Sequence, residues 1–245
     1  MADQPPSASD ADPEVAAEKA FGLTREYLLA GGLAEYIRRN NPDMHILTDA
    51  ERRDSLDAIL STRREHGDGV WVFAYGSLIW NPAMHIAGRR LAVAEGWHRD
   101  FCLATKGGRG TPENPGMLLG LRQGGSCVGA VLRLTEQAME QELDILWRRE
   151  MVADGYIPIW APVATLGGAP LGHAIAFTIN PVGPSYCGEL AREILVQRIA
   201  TAHGPLGTAA EYLFNTRDGL RAMGITDALL EQIGAEVEAA LSMTD

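Results

Sequence analysis

From Val70 to Ala74 the chain reads Val-Trp-Val-Phe-Ala without one polar residue, then enters Tyr75-Gly76-Ser77-Leu78-Ile79-Trp80 and stops at Asn81-Pro82. Five consecutive β-branched, aromatic or small apolar residues predict a buried strand. The glycine, the serine and the Asn-Pro pair predict a turn directly after it. A buried strand that runs into a glycine turn presents successive backbone N–H groups at its end. Such groups bind carboxylates or stabilise a developing oxyanion. The same pattern also describes a plain core strand with its turn, and the residues of this stretch leave both readings open.

The 245 residues suffice for one large domain or two small ones, with 46% hydrophobic and 22% charged residues, as in ordinary globular chains. The formal net charge of −11 disfavours a general nucleic-acid binder, which is usually basic. It does not bear on a small zwitterionic substrate, because a local patch can oppose the global field. Cys102, Cys127 and Cys187 are odd in number, widely spaced and lack any C-x-x-C, which argues against a disulfide framework or a zinc site and fits a reducing cytoplasm. The six histidines show no metal-ligand spacing, so no metal is expected. The early residues show neither a basic-then-apolar leader nor a span of membrane length, so no membrane partner is expected.

Taken in order, residues 1–20 are rich in Ala, Asp, Pro and Ser and predict a disordered arm. Residues 21–68 predict a helical extension: a helix from Thr24 to about Arg39 broken near Gly31-Gly32, then a second opened by the Thr48–Glu51 capping box. This part shows no site chemistry and is expected to pack outside the main domain, 69–243. There, strands are expected at Arg90–Trp97 and Arg99–Thr105, with a hairpin of 117–122 and 127–134 turning at Gln123-Gly124-Gly125-Ser126. A helix follows from Thr135 to about Val152, then a strand pair at Ile157–Leu166 and Gly172–Ile179. The chain is helical beyond Cys187, with a stop at His203-Gly204-Pro205, a capping box at Thr208–Glu211 and Thr226 as the cap of the last helix. Clustered strands followed by helices, without βαβ alternation, predict an α+β fold with a curled sheet or small barrel flanked by helices.

Glu150 is the most informative single residue. Met139, Leu143 and Leu146 mark an apolar stripe on its helix, and Glu150 falls on that stripe while Arg148 and Arg149 are expected to point elsewhere. A carboxylate on a core face needs a partner or a task, and burial would raise its proton affinity toward that of a general base. Pairing with Arg149 or another arginine explains it equally well. Ser77 suggests a hydrolase nucleophile, but the segment lacks the second glycine of G-x-S-x-G and no histidine is marked as its base. A backbone-donor role suits the stretch better. Arg99, on an expected strand, and Arg109, in the glycine-rich 106–116 loop, are candidate carboxylate forks or surface charges. Glu113 is a rival acid without an apolar setting. Tyr156 and Tyr186 are either substrate hydrogen-bonders or packing residues, and the five tryptophans are most simply core.

Tyr75-Gly76-Ser77-Leu78-Ile79-Trp80 resembles the signature loop of the ChaC-type γ-glutamylcyclotransferases. Gly96-Trp97-His98-Arg99, Arg109-Gly110-Thr111-Pro112, Trp147-Arg148-Arg149-Glu150 and His203-Gly204-Pro205-Leu206-Gly207-Thr208 continue the resemblance in order. It implies a γ-glutamylcyclotransferase-like fold, a curled mixed sheet or small barrel. It implies cleavage of glutathione to 5-oxoproline and cysteinylglycine through attack by the substrate's own α-amine, with no cofactor or metal. Glu150 aligns with the family's catalytic acid/base. Phe73, Ala74, Tyr75, Gly76, Ser77, Leu78, Arg99, Arg109, Tyr156 and Tyr186 are implied to bind substrate. Ala74 stands where a glycine is common in the family, which adds a methyl at a close-approach position. A cyclotransferase for another γ-glutamyl amine or dipeptide, or a non-enzymatic regulator of cation transport, remains a further expectation.

Overall fold

The computed structural model describes residues 22–63 and 69–243. The expected arm at 1–20 lies outside the described residues. Among the described residues three helices come first: α1 (Arg25–Leu29), α2 (Gly32–Asn40) and α3 (Asp49–Ser61). Thr24 Oγ1 accepts from the Tyr27 N–H to open α1, and Thr48 and Glu51 form the expected capping box on α3. The sheet follows as β1 (Trp71–Ala74), β2 (Ile86–Thr105), β3 (Gly116–Leu134), β4 (Tyr156–Ala164) and β5 (Pro170–Ile179), with helix α4 (Met139–Glu150) between β3 and β4. After β5 come α5 (Arg192–Thr201), the two-residue strands β6 (His203–Gly204) and β7 (Gly207–Thr208), α6 (Ala209–Arg221) and α7 (Ala228–Ser242).

The five long strands close into a barrel in the order β1-β3-β2-β4-β5. Most neighbours are antiparallel, but β1 meets β5 in parallel at Val72↔Ile175, so the closed sheet is mixed. Closure removes the exposed edges an open sheet would carry. Val72, Phe73, Ala74, Leu121, Leu132 and Ile175 are buried in its apolar core, each at most 2% exposed. Trp147 of α4 is buried against one end, edge-on to Phe177 at 5.3 Å between ring centroids.

The α+β expectation and the curled sheet hold, whereas one hairpin does not. The segment 117–134 does not reverse at Gln123–Ser126: β3 is one continuous strand, paired with β2 from Ile86↔Leu134 to Thr105↔Gly116. Gly124 and Gly125 have φ of 103° and 66°, and the register slips between Glu95 and Trp97 opposite them. The glycines therefore bend a long ribbon instead of folding it back, as a bulge does in a barrel. The two strands expected at 90–97 and 99–105 are likewise one bent strand. The last helix is capped by Asp227, whose carboxylate accepts from the Leu230 N–H, not by Thr226.

Helix α1 is tied to α4 by an ion pair that is buried on the carboxylate side. Glu142 on α4 is fully buried and accepts from the Arg25 guanidinium and from the His85 N–H. Leu28 and Leu33 join the main apolar core.

Candidate active site

Strand β1 ends at Ala74, and the chain enters a short 3₁₀ turn, Ser77–Ile79, that no side chain caps. The turn closes on itself through Ile79 N–H to Gly76 O at 3.0 Å and Asn81 N–H to Ser77 O at 2.8 Å. No side-chain cap takes up its leading N–H groups. Two contacts fix it. The Tyr75 hydroxyl donates to Phe177 O of β5 at 2.7 Å, and Gly76 packs so close to Tyr212 that a Cβ there would lie 2.9 Å from the Tyr212 Oη.

Opposite the turn, the last residues of α4 supply the charged groups. Arg149 is 6% exposed. It donates from Nε to Glu150 Oε1 at 3.0 Å, from Nη2 to Ser77 Oγ at 2.8 Å, and to the carbonyl of Asn81. Arg149 thus points into the site, contrary to the expectation that it faces away. It continues a buried row with Glu142, Ile145 and Leu146 at helical spacing, and its polar members escape a reading based on apolar periodicity. The Glu150 side chain is 13% exposed. Burial raises its proton affinity above the ordinary carboxylate value, and the Arg149 cation pulls part of that shift back. Pairing with Arg149 and placement in the site, which the sequence presents as alternatives, occur together.

Glu150 and Ser77 lie where two spaces meet. One is a cavity of about 310 Å³, within the size range of small-molecule sites. The other is a recess of about 20 Å³ behind it, walled by Tyr75, Gly76, Leu78, Leu119 and Phe177. Tyr156 and Tyr212 line both. The Tyr156 hydroxyl donates to Leu119 O at 3.1 Å, and the Tyr212 Oη accepts from the Leu119 N–H at 3.3 Å. Burial holds both phenols well above their usual range, so they act as neutral hydrogen-bonding groups.

Arg109 lines the larger cavity. Its Nη1 donates to Thr208 O at 2.7 Å and lies 3.4 Å from Glu211 Oε2, and the guanidinium sits over the Trp80 and Tyr212 rings at 5.8 and 6.0 Å. Four implied residues lie outside both spaces. Phe73 and Ala74 are fully buried in β1, so the Ala74 methyl adds nothing to the cavity wall. Arg99 is 5% exposed and binds Asp227 at 2.8 Å and the Val128 carbonyl, fastening the α7 cap to the β2–β3 ribbon. Tyr186 pairs through its backbone with Leu103, while its neighbour Ser185 reaches the cavity. Glu113 is exposed in its loop and lines neither space.

Sequence reading missed Tyr212 and the N-terminal wall. Tyr212 directly follows the Thr208–Glu211 capping box, and that cap is the only local hint. Leu23, Leu33, Ile37 and Met44 wall the cavity from the segment expected to lie outside the site. Among the described residues no group of three or more His, Cys, Asp or Glu is arranged to hold a metal ion.

Residues 70–240 match the family described as ChaC-like protein. The Escherichia coli (strain K12) protein named glutathione-specific gamma-glutamylcyclotransferase is 40% identical over 198 residues, covering 80% of this chain and 85% of that protein. The human glutathione-specific gamma-glutamylcyclotransferase 1 is 28% identical over 191 residues, covering 74% and 83%. Among solved structures, a glutathione-specific cyclotransferase from yeast aligns with a TM-score of 0.65 at 22% identity, over 71% of this chain and 97% of that one, a likeness of fold.

Proposed function

This chain belongs to the ChaC-like protein family, and on that premise we infer that it is a γ-glutamylcyclotransferase that cleaves glutathione. The site residues and product chemistry below are our reading. The observation that carries it is the position of Glu150: a buried carboxylate of raised proton affinity, where a ligand-sized cavity meets the recess behind the Tyr75–Leu78 turn.

The reaction asks three things of the protein. The γ-glutamyl group must fold so that its α-amine meets its own γ-carbonyl, an orientation effect worth several kcal/mol. We assign the fold of the substrate to the cavity walls, with Tyr156 and Tyr212 as hydrogen-bonding groups and Arg109 as partner of the α-carboxylate. The α-ammonium must lose a proton, and the departing amine must gain one. Glu150 relays both protons that the attacking nitrogen sheds, one before and one after the new C–N bond forms, to the leaving nitrogen, which departs as an ammonium. The carbonyl oxygen gains charge as the new C–N bond forms, and the N–H groups that open the Ser77–Ile79 turn receive it. The bond between the γ-carbonyl carbon and the cysteinyl nitrogen then breaks, giving 5-oxoproline and cysteinylglycine. No enzyme nucleophile is needed, which suits a Ser77 whose hydroxyl is held by Arg149.

Arg149 holds Glu150 and Ser77 at once and keeps the carboxylate aimed across the cavity. The three free cysteines fit a cytoplasmic setting, and no helix among the described residues is long and apolar enough to cross a membrane. The test is product analysis by mass spectrometry after incubation of the purified protein with glutathione. 5-oxoproline and cysteinylglycine in equal amounts support the assignment. A γ-glutamyl dipeptide panel that yields 5-oxoproline where glutathione does not would move the substrate. Silence across the panel with retained binding would return the fold to a binding role.

A further inference from the structure

Resting on the reading above, we propose that Lys106 and the N-terminal helical wall form the leaving-dipeptide subsite, with Lys106 pairing the terminal carboxylate of the cysteinylglycine half. The family match covers 70–240, yet Leu33, Ile37 and Met44 lie before it and close one side of the cavity. None of them reaches the recess. The scissile carbonyl belongs where Glu150 and the Gly76–Leu78 turn meet. Everything beyond its nitrogen therefore extends into the larger space, against this N-terminal wall.

The charges in that space are unequal in their freedom. The ionisable Lys and Arg side chains lining it are Lys106, Arg109 and Arg149, against the single carboxylate of Glu150, in a chain whose net charge is −11. Arg149 is committed to Glu150 and Ser77, while Arg109 is fixed in place by Thr208, Glu211 and two aromatic rings. Lys106 is exposed at the mouth, and among the described residues no carboxylate forms an ion pair with it. Glutathione carries two carboxylates. Arg109 packs over Tyr212, which also lines the recess, so it serves the γ-glutamyl end. Lys106 and Arg109 both line the outer space alone, and Lys106, the more exposed of the two, serves the other end. An ammonium at a partly open rim contributes to binding and little to the chemical step, because the distant carboxylate does not change charge during cyclisation.

The experiment compares glutathione with its glycyl monoethyl ester, in wild type, Lys106→Gln and Lys106→Arg, reading 5-oxoproline release. Expected is a rise of about fivefold in KM for glutathione in Lys106→Gln, with kcat nearly unchanged and with the ester turned over as by wild type. Lys106→Arg restores the KM. Equal effects of Lys106→Gln on both substrates, or no effect on either, would overturn the subsite. Wild type that releases 5-oxoproline from neither substrate would instead overturn glutathione as the substrate, and the subsite with it.

Discussion

Arg149 and Glu150 are adjacent in sequence and in hydrogen-bond contact in space, Nε to Oε1 at 3.0 Å, although both side chains are nearly withdrawn from solvent. Adjacent helical residues ordinarily diverge by about 100° around the axis. Here α4 ends at Glu150, and both side chains turn toward the Ser77–Ile79 segment. The pair gives the site a proton acceptor tuned by two opposed effects. Burial raises its proton affinity, and an attached cation lowers it.

Glu150→Gln removes the acceptor while keeping shape and a hydrogen-bond acceptor for Arg149. The expected outcome is a fall in 5-oxoproline formation of about 10²–10⁴-fold, the usual range for a general base. Circular dichroism and the thermal midpoint at neutral pH should stay close to wild type. A variant that retains full turnover would remove Glu150 from the mechanism.

The direction of the Glu150 shift fixes two pH dependences of opposite sense. Activity needs the ionised form, so kcat/KM should decline on the acid side with an apparent pKa above the ordinary glutamate value of 4.5. Stability runs the other way. The folded state holds the proton more tightly than the unfolded chain, so this contribution is present below 4.5 and is lost as pH rises through the folded value. Denaturation of wild type and Glu150→Gln across pH 4 to 8 should show the wild type losing ground relative to the variant as pH increases. A difference independent of pH would contradict the raised affinity.

Ser77→Ala tests the hydroxyl apart from the backbone. It removes the 2.8 Å acceptor of Arg149 Nη2 and leaves a buried guanidinium edge unpaired. The expected loss of stability is about 1–3 kcal/mol. Activity should fall by no more than about tenfold, because the turn's N–H groups remain. Complete loss in a folded variant would restore a serine nucleophile.

Gly76 and Tyr212 should behave as a coupled pair. A methyl at Gly76 would lie 2.9 Å from the Tyr212 Oη and push the phenol off the Leu119 N–H. Gly76→Ala alone should lower kcat/KM at least about tenfold. Adding Tyr212→Phe removes the clashing oxygen, so the double variant should be less impaired than the two single effects combined. Additive losses would place the two residues in separate roles.

Arg99 is a structural anchor in this fold. Its ion pair with Asp227 at 2.8 Å is buried on the arginine side, and its Nε has no partner among the described residues. Removing one partner of such a pair costs about 3–5 kcal/mol. Arg99→Met should therefore lower the denaturation midpoint sharply, while the KM of the protein that remains folded stays at the wild-type value. A KM change without destabilisation would make Arg99 a substrate ligand instead.

Much of the architecture follows from features a few residues long. The Val70–Ala74 strand, the turn after it, the Thr48–Glu51 and Thr208–Glu211 capping boxes and the β4–β5 pair all stand where local pattern puts them. The β2–β3 ribbon was illegible because its glycines allow either reversal or bending, and pairing over the whole length chooses bending. Arg149 was illegible because a polar residue on a buried face leaves no trace in an apolar stripe.

The sequence by itself determined most of the strands and the capping boxes that open two of the helices, and it placed a carboxylate on the inner face of α4. Periodicity and caps act between neighbours, so their energies are already present in a short stretch of chain. The tertiary structure alone decided what surrounds that carboxylate. Ser77 reaches Arg149 across 72 residues, Leu119 reaches Tyr212 across 93, and one N-terminal helix with its flanking residues becomes a cavity wall. Such contacts depend on barrel closure, which satisfies the buried edges of five strands at once and leaves these distant side chains one arrangement in which their polar atoms are paired.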